Sequence, residues 1–253
     1  MVKITAFVLR VFELLFKNYV FTIRTGLAKG LKRRYGFGFK PRSPLTKEEE
    51  FLMGLDLEGK TIIDVGGYIG MHAMFFARAV GETGKVITLE PNPRNYEELD
   101  HNVRLNNFNN ITCMQIGLGK NQERLDLITD PIYPARGSVA KSGAADQRET
   151  RVFNVQIFPL DSLVKTDKLP RPDFIKVDVE GFELDVLYGM VETIDTYKPH
   201  LFIEIHGETP RKLVELLASK GYSVYHIESG TEITGHNFPV IIGGHLVCEI
   251  IDR

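Results

Sequence analysis

The stretch TIIDVGGYIGM, residues 61–71, decides the fold of this protein. Its first five residues are a short, largely β-branched run, and three glycines then lead into a helical pattern over residues 71–80. Glycine allows a tight turn between strand and helix and lets a ligand approach the backbone closely. Such a turn also presents backbone amides at a helix N-terminus, which favour an anionic group. The segment therefore predicts a strand, a turn and a helix with a ligand site at the turn, although a purely structural turn has the same pattern.

The alternation of strand and helix continues on both sides of this unit, which predicts an α/β domain with a mostly parallel sheet. Thr46 with Glu49 forms a capping box, and Asn92 with Pro93 predicts a helix start. Predicted strands lie at residues 61–65, 85–90, 111–116, 174–179, 201–205, 223–227 and 245–251, and predicted helices at 46–55, 71–80, 92–106, 182–190 and 209–220. Residues 124–128 and 151–158 predict antiparallel additions.

The distribution of charge separates an N-terminal arm from the rest of the chain. The 253 residues carry a net charge of −2, but residues 1–42 contain ten Lys or Arg and one acidic residue, Glu13. The apolar stretch over residues 4–16 is too short and too charged for a spanning helix, which needs about 20 apolar residues. No small-residue cleavage site follows it, as a signal peptide would require. We expect residues 1–42 to form a basic amphipathic arm and residues 43–253 to form one domain.

Three roles suit a basic amphipathic arm. It can form a helix pair that packs against the domain or a second copy of the chain, or it can lie on an anionic membrane surface. Aromatic residues interleaved with basic ones near Arg33 and Phe37 would also suit RNA. Cys113 and Cys248 fall in apolar runs and predict buried thiols, so nothing requires an oxidising compartment. We expect a cytoplasmic protein, with peripheral membrane contact or self-association through the arm as alternatives.

An acidic residue at the end of the second predicted strand narrows the choice of ligand. Glu90 lies 26 residues after Asp64, and an acid at this place accepts hydrogen bonds from both hydroxyls of a ribose. The glycine spacing differs from G-x-G-x-x-G, and Asp64 would repel a pyrophosphate but would suit the ammonium group of an amino acid. No G-x-x-x-x-G-K-[ST] sequence for ATP occurs. These residues favour S-adenosylmethionine over NAD and ATP.

Two segments carry a more specific signal: IDVGGYIG at residues 63–70 and FIKVDVEGFELDVLYGM at residues 174–190. With them, the body of the chain from about residue 48 to residue 250 resembles the FkbM-type S-adenosylmethionine-dependent methyltransferases. Members of that family tend to have the sequence D-V-G-A-N-I-G at the turn and I-K-x-D-V-E-G-x-E-x-x-V-L-x-G at the fourth strand. The segment FPLDSL at residues 158–163 is similar to its T-L-D-S-L run. The chain departs from the family pattern at Gly67 and Tyr68, and a tyrosine there could bind the cofactor or narrow the site.

The resemblance implies a Rossmann-like class I methyltransferase fold whose mostly parallel seven-stranded sheet has a reversed last strand. It also implies transfer of a methyl group from S-adenosylmethionine, usually to oxygen. By position, the methionine end of the cofactor would lie near the glycine turn, its ribose near Glu90 and its adenine near Gly117. The cofactor-binding candidates are Asp64, Gly66, Gly67, Tyr68, Gly70, Glu90, Pro91, Asn92, Gly117 and Leu118.

The catalytic candidates are polar residues at the carboxyl ends of the central strands, where ligands bind in open α/β sheets. These residues are Asp178, Glu180, Glu204 and His206. Methyl transfer to a hydroxyl requires removal of its proton, so the leading hypothesis makes His206 or Asp178 the general base. The leading hypothesis includes no metal ion. In a second hypothesis, Asp178, Glu204 and His206 hold a divalent metal ion. In a third, purely structural interpretation, Glu180 only caps a helix and Glu183 is a solvated acid.

Residues 129–150 contain several prolines, glycines and charged residues, and they predict an insertion or lid without a core of its own. Its polar side chains, Tyr133, Arg136, Ser138 and Lys141, would choose the acceptor, unless the segment is only a surface insertion. We expect O-methylation of a hydroxyl on a sugar, glycolipid or other small metabolite. The alternatives are an RNA methyltransferase that uses the arm and a noncatalytic binding protein. No Asn-Pro-Pro-Tyr-like tetrapeptide occurs, so nucleic acid ranks behind a small-molecule or glycan acceptor.

Overall fold

A computed structural model describes residues 19–34, 44–129, 137–140, 151–208, 211–234 and 242–250. The strands are β1 (Val20–Thr22), β2 (Lys32–Arg34), β3 (Thr61–Val65), β4 (Lys85–Leu89), β5 (Ile111–Met114), β6 (Gly117–Leu118), β7 (Glu123–Thr129), β8 (Gly137–Ala140), β9 (Arg151–Phe158), β10 (Phe174–Val177), β11 (His200–Glu208), β12 (Tyr222–His226), β13 (Thr231–Ile233) and β14 (Ile242–Ile250). The helices are α1 (Lys47–Met53), α2 (Met71–Ala79), α3 (Pro93–Leu105), α4 (Leu160–Lys165), α5 (Glu183–Tyr188), α6 (Val191–Tyr197) and α7 (Arg211–Ser219).

The central sheet has the strand order β13-β12-β14-β11-β10-β3-β4-β5. Strands β11, β10, β3, β4 and β5 run parallel to one another, whereas β14 is antiparallel to both of its neighbours, β11 and β12. The mostly parallel sheet with a reversed last strand is therefore confirmed. The expected strand number is one too low, because the short strand β13 adds an antiparallel edge to β12.

Both faces of the central sheet are covered, and successive strand residues enter opposite cores. On one face Ile62 and Phe202 pack with helices α1 and α2. On the other face Ile63 and Leu201 pack with helices α4 to α7. Side chains alternate between the two faces of a strand, so a strand buried on both faces must be apolar at nearly every position. This explains why β3, β10 and β11 are mostly apolar, and the buried Asp64 of β3 and Lys176 of β10 are charged exceptions that lie beside each other.

A second sheet, with strand order β6-β9-β7-β8, extends from the end of β5. Strands β7 and β9 pair antiparallel from Glu123 with Ile157 to Thr129 with Arg151, as expected for the two additions. Strand β8 lies within the expected lid and pairs with β7, so this part of the segment belongs to a sheet. Of the four proposed acceptor-choosing residues, Tyr133, Arg136 and Lys141 lie outside the described residues.

Helix starts agree with local sequence signals wherever those signals lie in the described chain. The Thr46 side chain accepts a hydrogen bond from the Glu49 amide and completes the capping box, and the Asn92 side chain accepts one from the Arg94 amide. The helix predicted over residues 182–190 corresponds to α5, which ends at Tyr188, whereas helix α6, which begins at Val191, was not predicted. Gly189 separates them where its backbone packs directly on the Gly119 carbonyl. The predicted cap at residues 209–210 lies outside the described residues.

The described part of the N-terminal arm is a β-hairpin, so the predicted helix pair is wrong for residues 20–34. Strands β1 and β2 pair antiparallel, and Gly26 and Gly30 adopt positive φ angles of 73° and 88° in the connection. Glycine favours these angles and interrupts a helix, which is the physical reason for the difference. Leu31 is buried among α2 and α3, and Arg34 forms an ion pair with Glu98 at 2.8 Å. The hairpin thus packs against the domain.

Residues 1–18 and 35–42 of the arm lie outside the described residues. Among the residues that the structure describes, no helix is long and apolar enough to cross a membrane. Both cysteines are free, and Cys248 is buried as expected, whereas Cys113 is only half-buried.

Candidate functional site

A cavity opens at the carboxyl ends of β3, β4 and β10, where the second sheet begins. The predicted site residues that line it are Gly66, Tyr68, Glu90, Pro91, Asn92, Gly117, Leu118, Asp178 and Glu180. Lining residues that sequence analysis missed include Asn95, Leu127, Ile157 and Phe182. The second sheet supplies Leu127 and Ile157, and no local pattern marked these strands as part of a site. Asp64, Gly67 and Gly70 lie outside the cavity lining.

The glycine turn holds two parts of the site in close contact. Gly66 has a φ of 85°, and a Cβ atom there would overlap the carbonyl of Asp178. A Cβ atom at Gly67 would collide with Thr88 Oγ1, so this glycine serves the packing of the turn. The amides of Gly66 and Gly67 both donate to the Leu89 carbonyl, at 2.9 and 3.0 Å. The expectation of free amides at the turn is therefore wrong for these two residues, because the neighbouring strand already uses them.

Asp64 faces the neighbouring strands rather than the cavity. Its Oδ2 accepts a hydrogen bond from Thr88 Oγ1 at 2.9 Å, and its Oδ1 lies 3.6 Å from Lys176 Nζ. Thr88 and Lys176 are its register partners on the strands at either side. Side chains at paired positions of adjacent strands point to the same face. For this reason Asp64 is buried in the sheet instead of meeting the ammonium group of an amino acid.

Lys176 is a site residue that sequence analysis missed. Its side chain is 1% exposed, and its Nζ lies 3.1 Å from Asp178 Oδ2 as well as 3.6 Å from Asp64 Oδ1. Burial lowers the pKa of Lys176, but the Asp178 and Asp64 carboxylates outweigh burial and hold this pKa above its usual value. A lysine inside the apolar strand FIKV was the available signal, because a buried charge needs a charged partner.

Glu90 occupies the place expected for a ribose-binding acid. It is 6% exposed, its Oε2 accepts a hydrogen bond from the Tyr68 amide at 2.8 Å, and its Oε1 accepts one from the Asn92 amide at 2.9 Å. Burial raises the pKa of Glu90 to about 7, against the effect of these hydrogen bonds. The carboxyl group is thus held rigidly at the cavity wall and titrates close to neutral pH.

Tyr68 adopts a left-handed backbone conformation with a φ of 47°. Asparagine is several-fold enriched in this region, which agrees with the Asn of the family pattern at this position. The tyrosine side chain lines the cavity and is 38% exposed. It therefore covers part of the cavity in a conformation that an asparagine would adopt more easily.

The structure brings all four catalytic candidates together around one imidazole nitrogen. Nε2 of His206 lies 3.7 Å from Asp178 Oδ1, 3.5 Å from Glu180 Oε2 and 3.6 Å from Glu204 Oε1. They meet because β10 and β11 are adjacent parallel strands whose carboxyl ends share one edge of the sheet. We call these four residues the carboxylate–imidazole cluster.

Glu183 also belongs to this region, so its interpretation as a solvated acid is wrong. It is 3% exposed, and its Oε1 lies 2.9 Å from His206 Nδ1 and accepts a hydrogen bond from the Gly181 amide at 2.8 Å. The hydrogen bond to Glu183 raises the pKa of His206 to about 9, although burial acts in the opposite direction. A protonated imidazole accepts no further proton at neutral pH. These surroundings favour a carboxylate such as Asp178 over His206 as the proton acceptor.

Glu204 connects the cluster to a second group of histidines and carboxylates. Its Oε2 lies 3.6 Å from His245 Nε2, and Glu48 Oε2 lies 3.6 Å from the same nitrogen. His245 Nδ1 in turn lies 2.6 Å from Glu228 Oε1. The neighbouring His245 imidazole lowers the pKa of Glu204. One carboxylate oxygen of Glu204 thus lies near the His245 imidazole, beyond hydrogen-bond distance, and the other lies near His206 in the cluster.

Comparisons with solved structures support the fold. A methyltransferase FkbM from Methylobacillus flagellatus superposes with a TM-score of 0.50 at 22% sequence identity. The match covers 78% of this chain but only 45% of that chain. The likeness concerns the Rossmann-like fold of class I methyltransferases.

Comparisons of sequence give the same family. A methyltransferase 1 from Beauveria bassiana is 29% identical over 183 residues, which cover 64% of this chain and 72% of that protein. A protein from Haloferax volcanii named hexuronic acid methyltransferase AglP is 28% identical over 181 residues, covering 71% of this chain and 67% of that protein. The model of the methyltransferase FkbM domain matches residues 64–224, which include the glycine turn and the carboxylate–imidazole cluster. The chain therefore belongs to the FkbM methyltransferase family.

Proposed function

We propose that this protein binds S-adenosylmethionine and transfers its methyl group to an oxygen atom of a sugar or another small metabolite. One observation carries the proposal: Glu90, Gly66 of the glycine turn, Asp178 and Glu180 all line a single cavity. A nucleoside-binding carboxylate and proton-accepting groups thus share one space. This is what methyl transfer from a nucleoside cofactor to a hydroxyl requires.

The residues around the cavity suit S-adenosylmethionine chemically. The buried Glu90 carboxyl offers acceptor oxygens for two ribose hydroxyls. Leu118, Ile157 and Phe182 provide apolar surface of the kind that an adenine ring packs against. Gly66 lines the cavity, and its lack of a side chain lets its backbone pack against the Asp178 carbonyl beside it. When bound, the cofactor supplies an electrophilic methyl group.

The residues of this chain would then orient the acceptor and remove its proton. Asp178 and Glu180 reach the cavity wall, so a hydroxyl placed between them donates a hydrogen bond to either carboxylate. Lys176 Nζ lies 3.1 Å from Oδ2 of Asp178, which leaves Oδ1 of Asp178 directed toward His206 of the cluster. In this proposal the acceptor proton passes to a carboxylate of the cluster as the new oxygen–carbon bond forms. The methyl–sulfur bond of the cofactor would break at the same time, with its electron pair left on the sulfur of the departing thioether, and His206 balances the negative charge.

The names of relatives support a sugar acid as one acceptor to test. The Haloferax volcanii relative is named for hexuronic acid. A hexuronic acid offers two kinds of acceptor oxygen, its hydroxyls and its carboxylate. Alkaline hydrolysis separates the two products, because a methyl ester is cleaved and a methyl ether is stable.

Calorimetric titration with S-adenosylmethionine tests the cofactor. We expect one saturable site in the wild-type protein and binding weakened at least tenfold in Glu90→Ala, because the ribose acceptor is lost. Glu97→Ala is the matched control, since Glu97 is an exposed glutamate on helix α3, which follows Glu90 in the chain. This variant should bind S-adenosylmethionine as the wild type does. A folded wild-type protein that binds no S-adenosylmethionine contradicts the proposal. Transfer of a labelled methyl group to uronic acids and neutral sugars then tests the acceptor.

A further inference from the structure

We propose that Asp178, Glu204 and His206 bind one divalent metal ion of the Mn²⁺ type at the rim of the cavity. The proposal deepens the proposed function and rests on it for the role of the ion. Its basis is the convergence of three carboxylate oxygens on one imidazole nitrogen. One ligand atom from each of the three residues lies within 4.8 Å of the others.

The spacing of these atoms is close to that of a coordination shell. Two ligands at about 2.1 Å from one ion lie about 3.0 Å apart at a right angle and about 3.4 Å apart at the tetrahedral angle. Asp178 Oδ1 and Glu204 Oε1 lie 3.7 and 3.6 Å from His206 Nε2. All of these separations exceed a hydrogen bond, so the atoms face a common centre without bonding to one another. A contraction of a few tenths of an ångström brings these two separations into the range of a coordination shell, and the ligand atoms of Asp178 and Glu204 lie within 4.8 Å of each other.

Each proposed ligand is also oriented by a second partner. Glu183 lies 2.9 Å from Nδ1 of His206, which fixes the tautomer whose Nε2 lone pair faces the centre. Lys176 lies 3.1 Å from Asp178 Oδ2 and leaves Oδ1 for the ion. His245 lies 3.6 Å from Glu204 Oε2 and leaves Oε1. Partners of this kind are typical of metal ligands, whose free atoms they aim at the ion.

Lys176 and His245 each lie near one of the carboxylates, and the remaining negative charge around the His206 imidazole favours a further cation at this place. Besides the two carboxylate ligands, Glu180 Oε2 lies 3.5 Å from Nε2 and Glu183 lies 2.9 Å from Nδ1, so four carboxylates surround one imidazole. A proton on Nε2 is one such cation and a metal ion is the other, and the two compete for the same lone pair. Mn²⁺ accepts carboxylate oxygens together with an imidazole nitrogen, whereas Ca²⁺ typically takes oxygen ligands alone. The ligand atoms of this site therefore favour Mn²⁺ over Ca²⁺.

The position of the ion would serve methyl transfer. The side chains of Asp178, Glu204 and His206 are 24%, 32% and 23% exposed, so the centre keeps an open side, as catalytic metal sites do. Asp178 also lines the cavity. An acceptor hydroxyl bound on the open side would have a lowered pKa and would lose its proton more readily. With Asp178 and Glu204 bound to the ion, Glu180 would be the carboxylate of the cluster that accepts the proton.

Titration of the full chain with Mn²⁺ in the absence of S-adenosylmethionine tests this site. The protein is first stripped with a chelator, and the decrease in the electron paramagnetic resonance signal of free Mn²⁺ reports binding. We expect one equivalent bound by the wild-type protein and at least tenfold weaker binding by His206→Ala and Asp178→Asn. His200→Ala is the matched control, because His200 lies on the same strand, 3.6 Å from Glu249, but is 62% exposed at the other end. It should bind Mn²⁺ as the wild type does.

Thermal unfolding separates loss of the site from loss of the fold. Mn²⁺ should raise the melting temperature of the wild type and of His200→Ala, but not that of the conservative variant Glu204→Gln. A wild type that binds S-adenosylmethionine but neither Mn²⁺, Mg²⁺ nor Zn²⁺ overturns the metal site and leaves the proposed function standing. Binding that survives His206→Ala and Asp178→Asn also overturns it. Specific Mn²⁺ binding without S-adenosylmethionine binding supports the metal site and contradicts the proposed function instead.

Discussion

At the scale of single residues, Glu90 is the group whose ionisation we expect to affect the proposed cofactor binding most. Its carboxyl group is buried at the end of β4, and both oxygens accept hydrogen bonds from backbone amides. Ribose hydroxyls are donors, so they bind the ionised carboxylate better than the protonated acid. The ionised fraction of Glu90 near neutral pH should therefore set the affinity for the proposed cofactor.

The affinity for S-adenosylmethionine should rise with pH between about 6 and 8. Burial raises the pKa of Glu90 from 4.5 to about 7, so the ionised fraction increases across this range. Calorimetric titration of the wild type at several pH values should show a several-fold gain in affinity. Glu90→Gln cannot ionise and should bind more weakly with a flatter pH profile. If wild type and Glu90→Gln have the same profile, Glu90 does not meet the ribose.

At the scale of secondary-structure elements, the hairpin of β1 and β2 is an integral part of the domain. Leu27 belongs to the core that contains α1 and α2, and Leu31 belongs to the cluster formed with α3. Asn106, which follows α3, accepts a hydrogen bond from the Lys32 amide at 2.7 Å. Since α3 begins at Pro93, close to Asn92 in the cavity wall, the hairpin supports the helix that borders the site.

We expect Leu31→Ala to lower the free energy of unfolding by about 2 kcal/mol or more, because it leaves a cavity between the hairpin and α3. Urea denaturation followed by circular dichroism measures this change. Val20→Ala serves as the control, since Val20 lies in the same hairpin but is 40% exposed and should change the stability by less than about 0.5 kcal/mol. Equal stability of the Leu31→Ala variant and the wild type would contradict the observed packing of the hairpin.

At the scale of the whole molecule, Lys176 links the core of the sheet to the reaction site. Its ammonium group lies between Asp64 on β3 and Asp178 at the end of β10. The central sheet therefore holds Asp178 in place through a buried cation and not only through its own strand. Both the stability of the central sheet and the position of Asp178 therefore depend on the Lys176 side chain.

Lys176→Met should lower the free energy of unfolding by about 3 kcal/mol, because two carboxylates lose their buried counter-charge. Asp64→Asn in the same chain should restore part of the loss, since it removes one of the two uncompensated charges. Chemical denaturation of the single and double variants measures the effect. Lys85→Met is the control on an exposed strand position of the same sheet and should be nearly neutral. A double variant less stable than Lys176→Met would show that Asp64 does not need Lys176.

The sequence alone determined the alternation of strands and helices along the central sheet, the helix starts at Thr46 and Asn92, and the location of the acid at Glu90, but not helices α4 and α6. The reversed last strand came from the family resemblance. The determined features depend on local periodicity, capping side chains and glycine, so neighbouring residues are enough to predict them. The same holds for placing Asp178, Glu180, Glu204 and His206 at one edge of the sheet. Parallel strands bring their carboxyl ends together whatever their exact register.

Only the tertiary structure decided which side chains meet. The hydrogen bond between His206 and Glu183, the burial of Lys176 between two aspartates and the orientation of Asp64 away from the cavity all join residues from separate elements. Strand register and side-chain direction set these contacts, and neither is encoded in a short window of sequence. The hairpin at residues 20–34 shows the same limit, since its basic and apolar residues suit a helix until Gly26 and Gly30 close the turn and α3 offers a surface to pack on.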